Sequence, residues 1–281
     1  MNQNYMKEKP ILPLLLSLSL PAMISMMVNS LYNIIDSIFV AKIGENAMTA
    51  ISLVYPIQNV IISLAVGFGV GINAMIALYL GAGKKQRANV VATQGMALSI
   101  VHGILLTIIG IIIMPGFLKL FTSDFTIINL GTRYSTIALS FSVIIMISVT
   151  FEKIFQSVGK MVIAMISLTA GCIINIILDP ILIFGYFGLP AFGVAGAAIA
   201  TVIGQFSAAS LAFVLFKKYN THLHISFKKF RSNTPPTLIT TIICSYCSAQ
   251  NVRFTRSISA RPYSFSLSLR SAPSPACLEM T

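Results

Sequence analysis

Two acidic residues stand inside apolar stretches of the sequence, where a charge is costly. Asp179 lies in GCIINIILDPILIFG (171–185), four residues after Asn175, so the two side chains share one face of a helix. A carboxylate at the centre of a membrane helix costs roughly 2.5–3.5 kcal/mol on insertion scales. Pro180 follows directly and cannot donate a backbone hydrogen bond to the Ile176 carbonyl. We therefore expect a kink at which a freed carbonyl and an acid together form a cation site, as in transporters with interrupted helices.

The second acid belongs to a polar stripe on the first apolar stretch. After Pro21 the stripe consists of Ser25, Asn29, Tyr32, Asn33 and Asp36. Helical periodicity places these side chains on one face, which has to contact protein or water rather than lipid. Where this helix adjoins the helix that carries Asp179, the two acids, an Asn, a Tyr and a Thr would form a proton or cation site.

The composition is that of a polytopic membrane protein. Of the 281 residues, 56% are hydrophobic and 9% are charged, whereas about 25% are charged in soluble domains. Several apolar runs exceed the ~20 residues that cross a bilayer, which argues against the alternative that 171–185 is a buried strand of a soluble protein ending in an Asp-Pro turn. The net charge of +12 is confined to loops and the tail, so it indicates topology and predicts no nucleic-acid partner.

The apolar pattern predicts an all-α fold, a six-helix transmembrane bundle over residues 1–219. The predicted spans are 12–41, 47–80, 90–114, 128–151, 161–185 and 192–216. Basic residues concentrate on alternate loops (Lys7, Lys9; Lys84, Lys85, Arg87; Lys153, Lys160; Lys217, Lys218), while the other side has Lys42, Lys119 and Arg133. The positive-inside rule then puts both ends of the bundle in the cytoplasm and the protein in the plasma (inner) membrane. In this topology Asp36 and Asp179 lie roughly 9 Å below the outer face and Thr201 lies roughly 12 Å below it.

Other motifs carry weaker signals. The glycines of GFGVG (67–71) suit close helix packing, because no strand and no acidic partner support a dinucleotide loop. His102 is expected to make an interhelical hydrogen bond, and Glu152 with Lys153 an interfacial pair. Cys244 and Cys247 form a single CxxC, a weak sign of metal or redox chemistry. No nucleophile and base are paired in the sequence, so an enzyme is not expected.

Five motifs resemble, in order, the amino-terminal lobe of the multidrug and toxic compound extrusion (MATE) transporters. They are PAMISMMVNSLYNIIDSIFVAKIG from Pro21, ISLVYPI from Ile51, LGAGKKQRA from Leu80, NIILDPILIFG from Asn175 and GVAGAAIAT from Gly193. The resemblance covers about residues 10–232. It implies one lobe of a twelve-helix antiporter that exports small amphipathic, mostly cationic organic compounds across the lipid bilayer, with H⁺ or Na⁺ as the coupling ion and no other cofactor.

The resemblance also implies roles for individual residues. Asp36 and Asp179 match the coupling acids, and Na⁺ would bind to them and to Asn175. Tyr32, Asn33, Asn175 and Thr201 match supporting polar groups. A lipid-linked oligosaccharide flippase of the same superfamily is the alternative, but it would be expected to carry basic residues within its spans, whereas these spans carry acids.

The segment 220–281 departs from this pattern. It is rich in Arg, Ser and Pro, and we expect a largely disordered cytoplasmic tail. From about Ser232 it no longer reads as a transporter sequence, which favours a frameshifted or truncated product that lacks the second lobe. Such a chain would need a second lobe or a second copy for transport, or would be a membrane protein that does not transport.

Overall fold

The computed structural model describes residues 11–188 and 190–219, and over these ranges the chain is helical. The expectations for 220–281 and for the Cys244–Cys247 pair lie outside the described residues. The helices are α1 (Ile11–Ala41), α2 (Glu45–Gly81), α3 (Lys85–Phe121), α4 (Phe125–Ser140), α5 (Ser142–Ser157), α6 (Met161–Phe184) and α7 (Val194–Tyr219), with a 3₁₀ turn at Tyr186–Gly188.

Five of the helices are long and apolar enough to cross a membrane, and α4 with α5 makes a sixth span when the two are taken together. This confirms the predicted all-α fold of a multi-pass membrane protein. The helices bury two apolar clusters. One is centred on Phe68, Ile154 and Phe155, and the other on Val54, Met114 and Met146.

The fourth span is broken, whereas the sequence predicts one helix over 128–151. The axes of α4 and α5 differ by 47° at Phe141. The carbonyl of Leu139 accepts a hydrogen bond from Thr107 Oγ1 at 3.0 Å and another from Ser142 Oγ at 2.7 Å. Because side chains satisfy this carbonyl, the backbone can leave the helical path there without an unpaired buried acceptor.

The α6 helix, in contrast, continues through Pro180 to Phe184 and ends at Gly185 in the left-handed region, with φ 75°. Proline has no N–H, so the carbonyl of Ile176 lacks the intrahelical bond that any other residue at 180 would donate. The freed carbonyl lies one turn before Pro180, on the helix that carries Asn175 and Asp179.

Glycines bring α6 and α7 into the most extensive contact of any helix pair. A Cβ on Gly171 would lie 2.8 Å from the carbonyl oxygen of Gly204 and 2.7 Å from the Cβ of Ala208, and a Cβ on Gly196 would collide with the carbonyl of Leu182. The two backbones therefore touch where Asn175 faces α7.

The first helix is attached differently. α1 packs chiefly on α6 and makes few contacts with α2 and α7. Its Leu and Met residues are exposed on one side, as expected of a lipid-facing surface, while the polar stripe faces the cavities described below. α1 is thus a peripheral helix held mainly by α6.

The contact between α6 and α7 predicts a large effect from one added methyl group. Gly171→Ala should lower the stability of the bundle by about 1–3 kcal/mol, because the close-packed backbones have to separate. Thermal unfolding in detergent, followed by the loss of monodisperse protein on size exclusion, measures this. Gly116→Ala is the control, since a Cβ on Gly116 meets nothing within 4 Å and alanine is the better helix former. Equal stability of the two variants would contradict the packing argument.

Candidate cation site

The two predicted acids meet at the contact between α1 and α6. Asp179 is 0% exposed, and neither of its carboxylate oxygens has a hydrogen-bond partner within the described residues. Asp36 on α1 has a buried Oδ1 that likewise has no partner. The two carboxylates are close enough to interact electrostatically. The sequence predicted that the acids lie at one depth, and the structure places their helices side by side.

Two tyrosines lie within electrostatic reach of both acids. Tyr32 is on α1, and Tyr134 is on α4, where it is 3% exposed. The Tyr134 hydroxyl accepts a long hydrogen bond of 3.5 Å from Gln58 Nε2 on α2. Sequence reasoning identified Tyr32 but missed Tyr134 and Gln58, because no local spacing relates a residue of α4 or α2 to the polar stripe of α1.

Asn175 connects the acid pair to α7. Its side chain is 2% exposed, and its Nδ2 lies 3.4 Å from Thr201 Oγ1, at the long end of a hydrogen bond. The Thr201 hydroxyl itself donates to the carbonyl of Ala197 at 3.0 Å. The Oδ1 of Asn175 is buried without a partner, so an amide oxygen is available one turn from Asp179.

Two cavities border this cluster. The Asp36 cavity, of about 540 Å³, is lined by Asp36, Gln58, Tyr134 and other residues. The Glu152 cavity, of about 610 Å³, is lined by Glu152, Asn175 and other residues. Polar residues common to both walls are Tyr32, Asn33, Tyr55, Thr201 and Gln205. The cavities therefore adjoin along one shared polar wall.

Two other residues singled out in the sequence, Asn33 and His102, differ in whether their side chains form hydrogen bonds. Asn33 donates from Nδ2 to the carbonyl of Asn29 at 2.8 Å within α1 and lines both cavities. His102 makes no hydrogen bond within the described residues, so the prediction that it forms an interhelical hydrogen bond is wrong. Instead its ring stacks on Phe68, with 5.8 Å between the centroids.

The chemistry of the cluster is that of a cation site made of oxygen ligands. The carboxylates of Asp36 and Asp179, the amide oxygen of Asn175 and the hydroxyl of Thr201 are hard oxygen donors. Neither acid forms an ion pair within the described residues. A buried charge without a partner is strongly unfavourable, and a proton or a monovalent cation on the carboxylates would remove this cost. The residues present therefore fit H⁺ or Na⁺.

Comparison with known proteins gives consistent results. The family model MatE matches residues 21–181. The multidrug export protein MepA of Staphylococcus aureus strain MSSA476 is 31% identical over 239 residues, which are 82% of this chain and 50% of MepA. A FAD transporter of Shewanella oneidensis is 29% identical over 72% of this chain and 45% of its own length. The chain thus spans about half the length of these curated relatives.

Solved structures show the same similarity in three dimensions. A MOP superfamily transporter of Pyrococcus furiosus, described as having a binding pocket of reversed polarity, superposes with a TM-score of 0.78 at 30% identity, over 87% of this chain and 53% of the other. An outward-facing multidrug resistance MATE transporter superposes with a TM-score of 0.77 at 29% identity, and the match covers 87% of this chain and 54% of the other.

Because the Asp179 carboxylate has no partner within the described residues, we expect the protein to become more stable when the charge of this side chain is removed. Asp179→Asn keeps the shape of the side chain, so under alkaline conditions it should raise the stability of the ion-free protein by roughly 1–3 kcal/mol. Thermal unfolding in detergent measures the shift. Asp124→Asn is the matched control: Asp124 is exposed and caps α4 by accepting from the Thr126 N–H at 2.8 Å, and asparagine caps about as well. A destabilised Asp179→Asn would show that the carboxylate is already compensated.

Proposed function

Given that this chain belongs to the MatE family of transporters, we propose that it forms the cation-binding lobe of a multidrug efflux antiporter. In this proposal the lobe exchanges H⁺ or Na⁺ for a small amphipathic, mostly cationic organic compound. The observation that carries the proposal is the acid pair Asp36 and Asp179, which lies beside a cavity without any basic partner among the described residues.

Exchange follows from competition for the same negative charge. An organic cation in the Asp36 cavity would be held by the Asp36 carboxylate and would place its apolar body against Ile51 and Ile61 of the wall. A proton or Na⁺ on the acids removes that charge and weakens the attraction. Because binding free energies are reciprocal, an organic cation also lowers the affinity for the coupling ion by the same factor.

The helix that would respond to this change is α1. It carries Asp36 and packs chiefly on α6, with few contacts elsewhere, so a change of charge at the contact between α1 and α6 acts on its main attachment. A two-state element biased by a change of charge is what ion coupling requires. Moving one charge through the membrane potential supplies about 2.3 kcal/mol per 100 mV, which corresponds to a roughly 50-fold concentration ratio.

Transport by the whole protein is part of the proposal. Because the chain spans half the length of MepA, we propose that a second lobe or a second copy completes the path of the substrate. The concentration of lysines at one end of the bundle, for example at Lys84, Lys85, Lys217 and Lys218, supports an inner-membrane protein with both bundle ends in the cytoplasm.

Two anionic cargoes provide rival proposals. One is a flavin nucleotide, suggested by the Shewanella oneidensis relative, and the other is a lipid-linked oligosaccharide. Both carry phosphates, which bind to arginine or lysine. Among the described residues, Lys153 is the one basic residue that lines either cavity, and it is paired with Glu152 at 3.3 Å. The charge of the walls therefore favours a cationic cargo.

Binding of a fluorescent organic cation to the purified chain tests the proposal. Ethidium should bind, protons or Na⁺ should weaken its binding, and Asp36→Asn should lower its affinity by about tenfold, which is the loss of roughly 1.4 kcal/mol. Fluorescence polarisation in detergent measures all three, with Asp124→Asn as the control. Ethidium affinity that does not depend on the ions or on Asp36 would overturn the assignment.

A second measurement addresses the need for another lobe. Cells in which this chain is monomeric and no second lobe is expressed should not extrude ethidium faster than cells with an empty vector, because one lobe provides half of an alternating-access pair. Extrusion by the chain together with a co-expressed second lobe, and its loss in Asp179→Asn, is the expected positive result. Full extrusion by a monomer of this chain would refute the requirement.

A further inference from the structure

A second charged cluster lies on α5, away from the acid pair. Gln156 Nε2 donates to Glu152 Oε1 at 2.7 Å. Lys153 Nζ donates to the same Glu152 oxygen at 3.3 Å and to Gln156 Oε1 at 3.1 Å. The sequence predicted an interfacial pair here. The pair is present, all three residues line the Glu152 cavity, and the side chains of Lys153 and Glu152 are 14% and 29% exposed.

The glycine at position 69 of α2 leaves room for the side chain of Lys153. A Cβ on Gly69 would lie 2.7 Å from Lys153 Cγ and 3.3 Å from Val149 Cγ1. The aliphatic part of Lys153 therefore crosses α2 at a bare stretch of backbone, inside the bundle.

The bonding leaves one oxygen of Glu152 available. Oε1 accepts both hydrogen bonds, and Oε2 accepts none within the described residues. Charge-assisted N–H···O bonds are typically about 2.7–2.9 Å long, so the two bonds of Lys153 are long for their kind. The carboxylate thus has a free ligand position and a loosely bound ammonium that another cation can replace.

The cavity that Glu152 lines also reaches Asn175, one helical turn from Asp179, although neither Asp36 nor Asp179 lines it. Its wall follows α6 from Met161 to Asn175, a length of about 21 Å at 1.5 Å per residue. At the Asn175 end it shares Tyr32 and Thr201 with the Asp36 cavity. The amide side chains of Asn29, Asn59 and Gln205 also line this cavity. Polar groups that can contact an ion are therefore available in the cavity that Glu152 and Asn175 share.

We propose that Glu152 is a second cation site, through which the coupling ion passes between the acid pair and the cytoplasmic end of the bundle. Lys153 occupies this site when no ion is present, and an arriving monovalent cation takes its place on the carboxylate. The displaced ammonium stays on Gln156 Oε1, to which it already donates at 3.1 Å, and the Glu152–Lys153 pair carries one net positive charge while the ion is bound. The inference depends on the proposed function, since it assumes a coupling ion at Asp36 and Asp179.

Few titratable groups compete for this role. Those that share the cavity with Glu152 are Lys153 on its own helix, Tyr32 on α1, Tyr55 on α2 and Cys172 on α6. Glu152 is the carboxylate among them. Among the described residues, an ion that leaves the acid pair through this cavity therefore meets one further acid, Glu152.

The test separates the rate of ion exchange from the amount of ion bound. The purified chain in lipid nanodiscs is loaded with ²²Na⁺, or with protons followed by a pH dye, and exchange is timed after rapid mixing. Glu152→Gln should leave the amount bound within about twofold of wild type and slow the exchange by about tenfold, a change of roughly 1.4 kcal/mol in the barrier. Lys153→Met should exchange at least as fast as wild type, because the competing ammonium is gone.

Glu45→Gln is the matched control, because Glu45 is exposed in the first turn of α2 and lines neither cavity. It should behave as wild type. Wild-type exchange in Glu152→Gln would overturn the inference and leave the proposed function intact. Equal slowing in Lys153→Met would also overturn it, because the ion pair would then be a structural support. A wild-type chain that binds no ion, or an Asp179→Asn variant that binds as much as wild type, would overturn the proposed function as well.

Discussion

Uncompensated negative charge inside an apolar helix bundle is the constraint on which this structure depends. Asp179 is fully buried, and its oxygens have no partner. Asp36 adds a second carboxylate within electrostatic reach. Charges in such a setting destabilise the bundle by several kcal/mol unless a cation or proton joins them. The surrounding packing has to hold them there, and most of the architecture can be understood in those terms.

The packing that does so is unequal on the two sides of the acid pair. On one side, Gly171, Gly196 and Gly204 bring α6 and α7 into backbone contact, and this fixes Asn175 opposite Thr201. On the other side, α1 carries Asp36 and contacts little besides α6. A close-packed wall thus holds one acid while a lightly attached helix holds the other. Repulsion between the carboxylates, or its relief by a cation, acts mainly on the position of α1.

The sequence predicted the parts of the site that follow from helical periodicity. The i, i+4 spacing of Asn175 and Asp179 and the stripe that leads to Asp36 each place side chains on one face of one helix. Counting residues from the predicted helix ends, at about 1.5 Å per residue, then placed both acids at the same depth in the membrane. The contact between α1 and α6 could not be obtained in this way, because it depends on which helices pack together. Tyr134 and Gln58 were missed for the same reason, since they lie on α4 and α2 and no local spacing relates them to the acids on α1 and α6.

One further difference from the sequence analysis has a local physical explanation. The break at Phe141 is accommodated by hydrogen bonds from Ser142 and from Thr107 on α3 to the Leu139 carbonyl, and the bond from Thr107 is a contact between helices that the sequence of 128–151 does not contain. The pairing of Glu152 with Lys153 agrees with the prediction, but the contact of the Lys153 side chain with α2 could not be obtained from the local sequence. Gly69, which is more than 80 positions earlier in the chain, creates the space that Lys153 occupies.

The position of Lys153, the one basic residue among the described residues that line these cavities, distinguishes Glu152 from the acid pair. A lysine beside Asp36 or Asp179 would form a permanent ion pair, and the acids would then have no reason to bind H⁺ or Na⁺. Lys153 is instead paired with Glu152, in a cavity that neither Asp36 nor Asp179 lines. The fold thus neutralises Glu152 with its own side chain, whereas in the proposed function the pair between α1 and α6 is neutralised from solution. In that proposal the difference gives a mobile ion both a place to bind and a direction in which to leave.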